Sequence, residues 1–506
     1  MLFAEVALTA DRVAATSSRI GKVDAIAELL RRLGSDEIAP VVGFLVARPR
    51  QGRLGVGWRS LAAADAGGAS EPSLTVGEVD AALDALAAAG GEGSVAARRA
   101  ALDAVAARAT PSEWDLLTRV ILGELRTGAL EGVLLDAIAR AADRAGPAVR
   151  RAAMLSGDLG ETARVALTES ADTLEAVSLR VGTPVLPMLA ATAASPADAV
   201  AATGAASVEY KLDGARIQVH RDGDDVRVFT RGLADIAHRV PEIVARVREL
   251  PVDRVILDGE TLAIDDDGAP RPFQDTMARF GSETEAAVAL HPWFFDILHV
   301  DGRDLIDEPL TVRLDVLDAV VGGMRIPGIL TDDPDAADAF SRDALAAGHE
   351  GVMVKAADSV YAAGRRGKSW LKVKPVVTVD LVVLAVEWGS GRRTGMLSNL
   401  HLGARDPDGR FGEPGGFVMA GKTFKGLTDE LLRWQTEHFP TIETRRTAYA
   451  VHVRPETVVE IAIDGVQRST RYPGGVALRF ARVKRYRPDK QADDADTIDL
   501  LRGMLR

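Results

Sequence analysis

Between Ser207 and Thr230 three short runs, Ser207 to Leu212, Ala215 to His220 and Val226 to Thr230, alternate or run apolar around the Asp-Gly turns Asp213-Gly214 and Asp222-Gly223. Runs of that length between such turns predict strands. Into the first turn the chain sets a lysine, Glu209-Tyr210-Lys211-Leu212-Asp213-Gly214-Ala215-Arg216. Free lysine, with a pKa of about 10.4, is protonated at neutral pH and attacks only where burial, a neighbouring cation or a metal favours the neutral amine. A phosphoanhydride substrate with its metal supplies that condition. A surface lysine beside a β-turn is the competing reading, and this segment alone does not separate the two.

Further motifs follow in order: Phe229-Thr230-Arg231-Gly232, Leu257-Asp258-Gly259-Glu260, Trp293-Phe294-Phe295-Asp296-Ile297-Leu298, Glu350-Gly351-Val352-Met353-Val354-Lys355, Trp370-Leu371-Lys372-Val373-Lys374 and Arg485-Tyr486-Arg487-Pro488-Asp489-Lys490. The ordered set resembles the motifs of covalent nucleotidyltransferases. Its Glu-Tyr-Lys-x-Asp-Gly opening and Arg-x-Asp-Lys ending resemble ATP-dependent DNA ligases, and the resemblance runs over nearly the whole chain. Several motifs in one order are far more specific than any one alone. The resemblance implies a multidomain chain like the archaeal, eukaryotic-like and actinobacterial ligases. Its parts would be an all-α N-terminal DNA-binding domain (1–180), an α+β adenylation domain (181–375) and a C-terminal OB-fold β-barrel (376–506).

At 506 residues the chain exceeds what a single core serves, so two or more domains are expected. The absence of cysteine removes disulfides, cysteine-based zinc sites and thiolate catalysis. Eight histidines without a cluster argue against a transition-metal site and leave oxygen-ligated Mg²⁺ open. The balance of 61 Lys+Arg against 73 Asp+Glu, formally -12, runs against the basic surface expected of a protein that grips DNA. Phosphate contact depends on local potential, however, and cations cluster in Arg365-Arg366-Gly367-Lys368, Gly391-Arg392-Arg393 and Arg479 to Arg487. A solvated face is an equal reading of any one cluster. The start Met1-Leu2-Phe3-Ala4-Glu5-Val6 has no basic stretch before an apolar core, and no apolar run is long enough to span a bilayer. A cytoplasmic protein with no membrane contact is expected.

Up to about residue 180 the pattern is helical. Asp24 to Leu33 carries apolar residues at helical spacing, and Thr75-Val76-Gly77-Glu78 and Thr110-Pro111-Ser112-Glu113 predict capping boxes. Gly128 is expected to end the run Trp114 to Arg126. The stretches Leu61 to Ser70 and Ala87 to Ser94 predict loops, and Gly182 to Leu189, punctuated by Pro184 and Pro187, an extended connector. Strands are expected at Val255 to Ile264, Trp293 to Val300, Gly351 to Lys355 and Trp370 to Val373, with helices at Pro241 to Leu250 and Leu310 to Val321. Beyond Pro375, strands at Asp380 to Val386, His401 to Ala404, Gly416 to Ala420, Val458 to Ile463 and Ala477 to Val483, with one helix from Thr428 to Phe439, suit a small barrel.

Lys211 is the expected nucleophile, attacking the α-phosphate of ATP and expelling pyrophosphate. Lys372 and Lys374, alternating on one strand, point to one side and could reach that phosphate together; a polar exposed face is the other reading. Glu260 and Glu350 are carboxylates on apolar strands and need partners. The resemblance assigns Glu260 to the ribose or the metal and Glu350 to the metal, against a buried salt bridge for either. Phe295 offers a face for adenine, or is an ordinary core phenylalanine. Glu209, two residues before Lys211, shares its strand face; the resemblance gives it the adenine amino group and places Lys355 among the nucleotide-binding residues. Arg216 and Arg231 correspond to arginines that engage AMP and the 5′-phosphate of a nick, as a bidentate guanidinium can. Thr-Arg-Gly-Leu stands where many relatives have Ser-Arg-Asn, which puts the neighbour's contact in doubt. Arg487 and Lys490 correspond to the element that contacts the β- and γ-phosphates, which requires closure of the last domain.

In the N-terminal part Leu122 to Gly128, followed by Glu131-Gly132, resembles the helical DNA-binding domain of such ligases, with Arg19, Lys22 and Arg126 as candidate backbone contacts. Phosphate contacts without base readout suffice for nicks in any sequence. The implied function is sealing of nicked duplex DNA through lysyl-AMP and DNA-adenylate, with ATP and Mg²⁺, by a monomer that encircles the DNA. An RNA ligase or capping-type enzyme shares the lysine and strand motifs, and a non-catalytic DNA-binding clamp is the alternative from another class.

Overall fold

The computed structural model describes residues 1–64, 68–125, 131–265, 270–281, 289–362, 366–389 and 393–505. Residues 1–262 with 279–373 form one compact unit and 263–278 with 374–506 a second.

The first unit begins with helices, among them Phe3–Ala15, Arg19–Leu30, Ser35–Leu45, Val76–Ala88, Ser94–Ala106, Pro111–Leu122, Glu131–Ala142, Gly146–Ser156 and Leu159–Thr168. Both capping boxes form: Thr75 and Thr110 accept from the backbone N–H of Glu78 and Glu113, whose carboxylates return to the cap N–H. The core beneath is almost entirely Leu, Val, Ile and Ala. One expectation is corrected. The helix from Pro111 stops at Leu122, because Gly123 takes the left-handed conformation (φ 68°) that ends a helix without a Cβ penalty. Arg126 and Gly128 lie outside the described residues.

Two five-stranded sheets follow. The first runs in the order 189–192, 366–373, 352–356, 206–210, 328–331, and the second 225–230, 215–222, 254–263, 290–300, 303–304. Alternation sorts the first sheet's residues. Val208, Val352, Val354, Leu371 and Val373 form one core with Ala199, Val200, Ala337 and Ala344 of helices Pro196–Thr203 and Pro334–Ala346. Glu209, Met353, Lys355, Trp370 and Lys372 fall on the other face, because the register pairs Glu209 with Met353, Lys355 with Trp370 and Met353 with Lys372. The helix Leu310–Val321 lies where its pattern predicts.

In the second unit the strand Val377–Trp388 pairs with Leu397–Asp406 along one edge and with Ala450–Val453 and Val458–Ile463 along the other. A register shift at Val383/Ala385 lets this long strand bend, giving a curled seven-stranded sheet. The helix Asp429–His438 is capped by Thr428. The single strand expected at Ala477 to Val483 is instead two, Val476–Arg479 and Arg482–Tyr486. They pair with different strands, 465–468 and 458–463, so the chain turns between them, with Phe480 at φ 51°. No helix among the described residues is long and apolar enough to cross a membrane.

Candidate active site

Lys211 sits where the chain leaves the first sheet, at Tyr210, and crosses to the second, at Ala215. The crossing is tight: a Cβ on Gly214 would lie 2.4 Å from the Thr261 carbonyl oxygen and 3.0 Å from Cγ of Glu260. The ladder with Val352–Ala356 continues one step past the strand. Lys211 N–H donates to the Gly351 carbonyl at 2.8 Å, and Glu350 N–H donates to the Lys211 carbonyl at 3.0 Å. That register brings Glu350 beside Lys211, whose ammonium pairs with the Glu350 carboxylate. Both side chains keep some exposure, 22% and 14%.

The second sheet brings its own charges to this junction. Arg216 lies opposite Glu260 in register and diagonal to Asp258. It grips Asp258 with two bonds, Nε to Oδ1 at 3.0 Å and Nη2 to Oδ2 at 2.6 Å, and Tyr361 Oη donates to the same carboxylate at 2.8 Å. Glu260 has no such clamp. Loss of hydration pushes its carboxyl up to about 7 despite the attraction of Lys211 and Arg216, and the nearby charges of Asp258 and Glu350 push the same way. Between Asp258 and Glu260 only glycine fits, since a Cβ on Gly259 would lie 2.6 Å from the Trp293 carbonyl oxygen and 2.8 Å from the Phe294 ring.

Behind the lysine lies a largely enclosed ion network. Glu209, with no exposed surface, pairs with Lys355 at 2.5 Å and Arg325 at 2.9 Å and accepts from Ser207 Oγ at 2.9 Å. Burial raises its pKa, but the two cations outweigh that and hold it below the usual carboxylate value. Lys355 is pushed down by burial against the pull of Glu209. Its ammonium lies 4.4 Å from the ring centres of both Phe295 and Trp370 and donates to the Phe295 carbonyl at 3.1 Å. Phe295 and Trp370 meet edge to face at 6.0 Å, and Arg216 lies 5.5 Å from the Phe295 ring centre. Asp296, next in the motif, is consumed by a buried pair with Arg313 at 2.7 Å.

The expected residues do not all arrive together. Lys211, Glu209, Arg216, Glu260, Phe295, Glu350 and Lys355 share the junction of the two sheets, and Lys372 shares the first sheet's inward face. Lys374 does not alternate with Lys372 on one strand. The strand ends at Val373, before the proline at 375, and Lys374 belongs to the second unit, where it bonds Asp464 at 2.9 Å. Arg231 is exposed in the turn after strand Asp225–Thr230. Arg487 and Lys490 converge on one carboxylate of the second unit, Asp380, at 3.1 Å and 2.6 Å. In the helical region Arg19 pairs with Asp136 at 2.6 Å. Asp258, Arg325, Tyr361 and the Trp370 ring carry contacts that the motifs did not announce. Asp258 alone had a signal, its alternation with Glu260.

Among the described residues no group of three or more His, Asp or Glu side chains forms a metal-holding cluster. Glu260 and Glu350, near enough to feel each other's charge, fit a Mg²⁺ held by one or two carboxylates together with substrate phosphates.

A helical region, a two-sheet nucleotidyltransferase domain and a curled-sheet domain, in this order, make up the architecture of three-domain ATP-dependent ligases. Family descriptions agree: "DNA ligase N terminus" matches residues 63–139, "ATP dependent DNA ligase domain" 187–374 and "ATP dependent DNA ligase C terminal region" 393–490. Over its whole length the chain is 64% identical to a "Probable DNA ligase" of Pseudarthrobacter chlorophenolicus, covering all of that protein. It is 59% identical to one of Saccharopolyspora erythraea, over 99% of this chain and 98% of the other. A solved structure described as Pmar-Lig_PreS3 shares the fold at a TM-score of 0.65 and 20% identity, over 95% of this chain and 99% of that one. The chain belongs to the ATP-dependent DNA ligase family, enzymes that join DNA with ATP and, as the usual metal, Mg²⁺.

Proposed function

We propose that Lys211 is the residue that carries AMP. The observation behind this is its place at the junction of two sheets, half-enclosed and facing Glu350. Its amine attacks the α-phosphate of ATP, forms a phosphoramidate and expels pyrophosphate. AMP then passes to the 5′-phosphate of a nick, and the 3′-hydroxyl displaces it. Lys372 holds the α-phosphate, and Arg487 and Lys490 the β- and γ-phosphates. Arg216 engages AMP, Arg231 the nick phosphate, and Phe295 stacks on adenine, with Glu209 and Lys355 behind it. Glu260 takes the ribose or the metal and Glu350 the metal, which supplies charge neutralisation at the phosphates.

The three parts are read as a DNA-binding domain (1–180), an adenylation domain (181–375) and an OB-fold domain (376–506). The whole acts as a cytoplasmic monomer that encircles nicked duplex. Mass spectrometry of the protein with and without ATP and Mg²⁺ tests the central step. One AMP on Lys211 is expected, and an adduct on any other residue overturns the assignment.

A further inference from the structure

The connector between the helical region and the two-sheet domain is held by Arg216 and by two side chains that the proposed chemistry does not use, Gln218 and His220. Residues 184–188 have no regular secondary structure, yet Val185 is fully buried and Met188 nearly so. Their backbone polar groups therefore need partners. Arg216, Gln218 and His220 alternate along strand Ala215–Asp222 and so share one face. Arg216 donates to the Met188 carbonyl at 2.7 Å. The Gln218 amide takes Val185 at both ends, accepting its N–H at 2.7 Å and donating to its carbonyl at 3.1 Å. His220 Nδ1 accepts the Gly182 N–H at 2.9 Å, which leaves the proton on Nε2 to be donated to Gln218 Oε1, also at 2.9 Å. Burial, helped by Arg227 and His299, pushes the His220 pKa down to about 3, so this neutral form persists at every working pH.

The opposite side of the connector is held by the helical region. Leu186 N–H donates to the Met154 carbonyl at 3.0 Å, and Met154 and Leu155 join the same core as Val185, Met188 and Phe295. Gly157 lies so close that a Cβ there would sit 2.3 Å from the Pro184 carbonyl oxygen. Arg151 adds a two-pronged pair with Asp307, both bonds 2.7 Å.

We infer that Gln218 and His220 are positioning residues that splice the connector onto the strand bearing Arg216, so that the helical region and the AMP site are presented to nicked DNA as one rigid piece. The inference rests on the reading that the helical region binds DNA, and the test separates the two. The chain has no cysteine, so exposed Asp36 and Asp224 can each be replaced by cysteine and labelled for distance measurement between the helical region and the catalytic strand. In that background Gln218→Leu removes both partners of Val185. The expected result is a broadened inter-label distance, about ten-fold weaker binding of nicked duplex, and formation of enzyme-AMP within about two-fold of the parent. His220→Phe keeps a ring in place and removes the bonds to Gly182 and to Gln218 Oε1 but leaves the Gln218 bonds to Val185, so it should show the same pattern in smaller measure. It serves as the test if Gln218→Leu does not fold. An unchanged distance distribution overturns the brace. A broadened distribution with unchanged DNA affinity overturns its link to DNA and leaves adenylation chemistry untouched. Equal losses in adenylation and DNA binding would make Gln218 a mere support of the catalytic strand.

Discussion

In the helical region charged side chains pair on the surface, Arg12 with Glu28 and Arg19 with Asp136, over a core of Leu, Val, Ile and Ala. In the two-sheet part the pattern is reversed. Glu209, Lys355, Asp258, Asp296 and Arg313 are buried, and each is stabilised by a specific partner of opposite charge or by a ring face. An exposed pair is screened and costs side-chain entropy, so it contributes little. A buried charge without its partner is expensive. The first region gains its stability from apolar area, whereas the second is built to hold charge out of water. That arrangement suits a domain that must bind a polyanion such as ATP.

The comparison breaks most sharply at Lys211. Lys211→Ala should abolish the AMP adduct, and Lys211→Arg should do the same because a guanidinium stays protonated. Both should leave the melting temperature near the parent value, since the side chain is partly exposed. An adduct surviving in either protein places the nucleophile elsewhere. Next in size is the double variant Arg487→Ala/Lys490→Ala. Its rate of enzyme-AMP formation from ATP should fall about 100-fold or more, while sealing of a nick that already carries 5′-AMP should fall far less. Equal losses in the two assays would remove these residues from the triphosphate.

Stability separates the regions further. Asp296→Ala leaves Arg313 buried and unpaired and should cost about 3–5 kcal/mol in denaturant unfolding. Glu260 gives a smaller, pH-dependent effect. Its folded value, about 7, lies above the unfolded value of about 4.3, so the folded chain keeps a proton that the unfolded chain releases. Its stability contribution is therefore full below the unfolded value and is lost as pH rises through 7. Glu260→Gln should raise the melting temperature relative to the parent more at pH 8 than at pH 5, and a pH-independent difference would contradict the raised value. Last, Arg12→Ala should leave the melting temperature unchanged within error, because its partner Glu28 is well exposed. A loss comparable to that of Asp296→Ala would erase the contrast between the regions.

Much of this was legible in the chain itself. Alternation around Asp-Gly turns located the strand that leads into Lys211 and the one that carries Arg216, and Ser/Thr-x-x-Glu patterns located two helix starts, because both signals are local and repeat with the period of the backbone. The spacing of Asp258 and Glu260 already put that pair on one strand face, whereas the strand that carries Glu209 ends at Tyr210, one residue short of Lys211. What tertiary structure alone decided is which faces meet and who partners whom. Arg325 reaches Glu209 across 116 residues, Tyr361 reaches Asp258 across 103, and Lys374 leaves the line of Lys372 for Asp464. Sequence periodicity specifies the direction in which a side chain leaves its own strand. The partner it finds depends on the packing of distant elements, and burying a charge makes that choice energetically decisive.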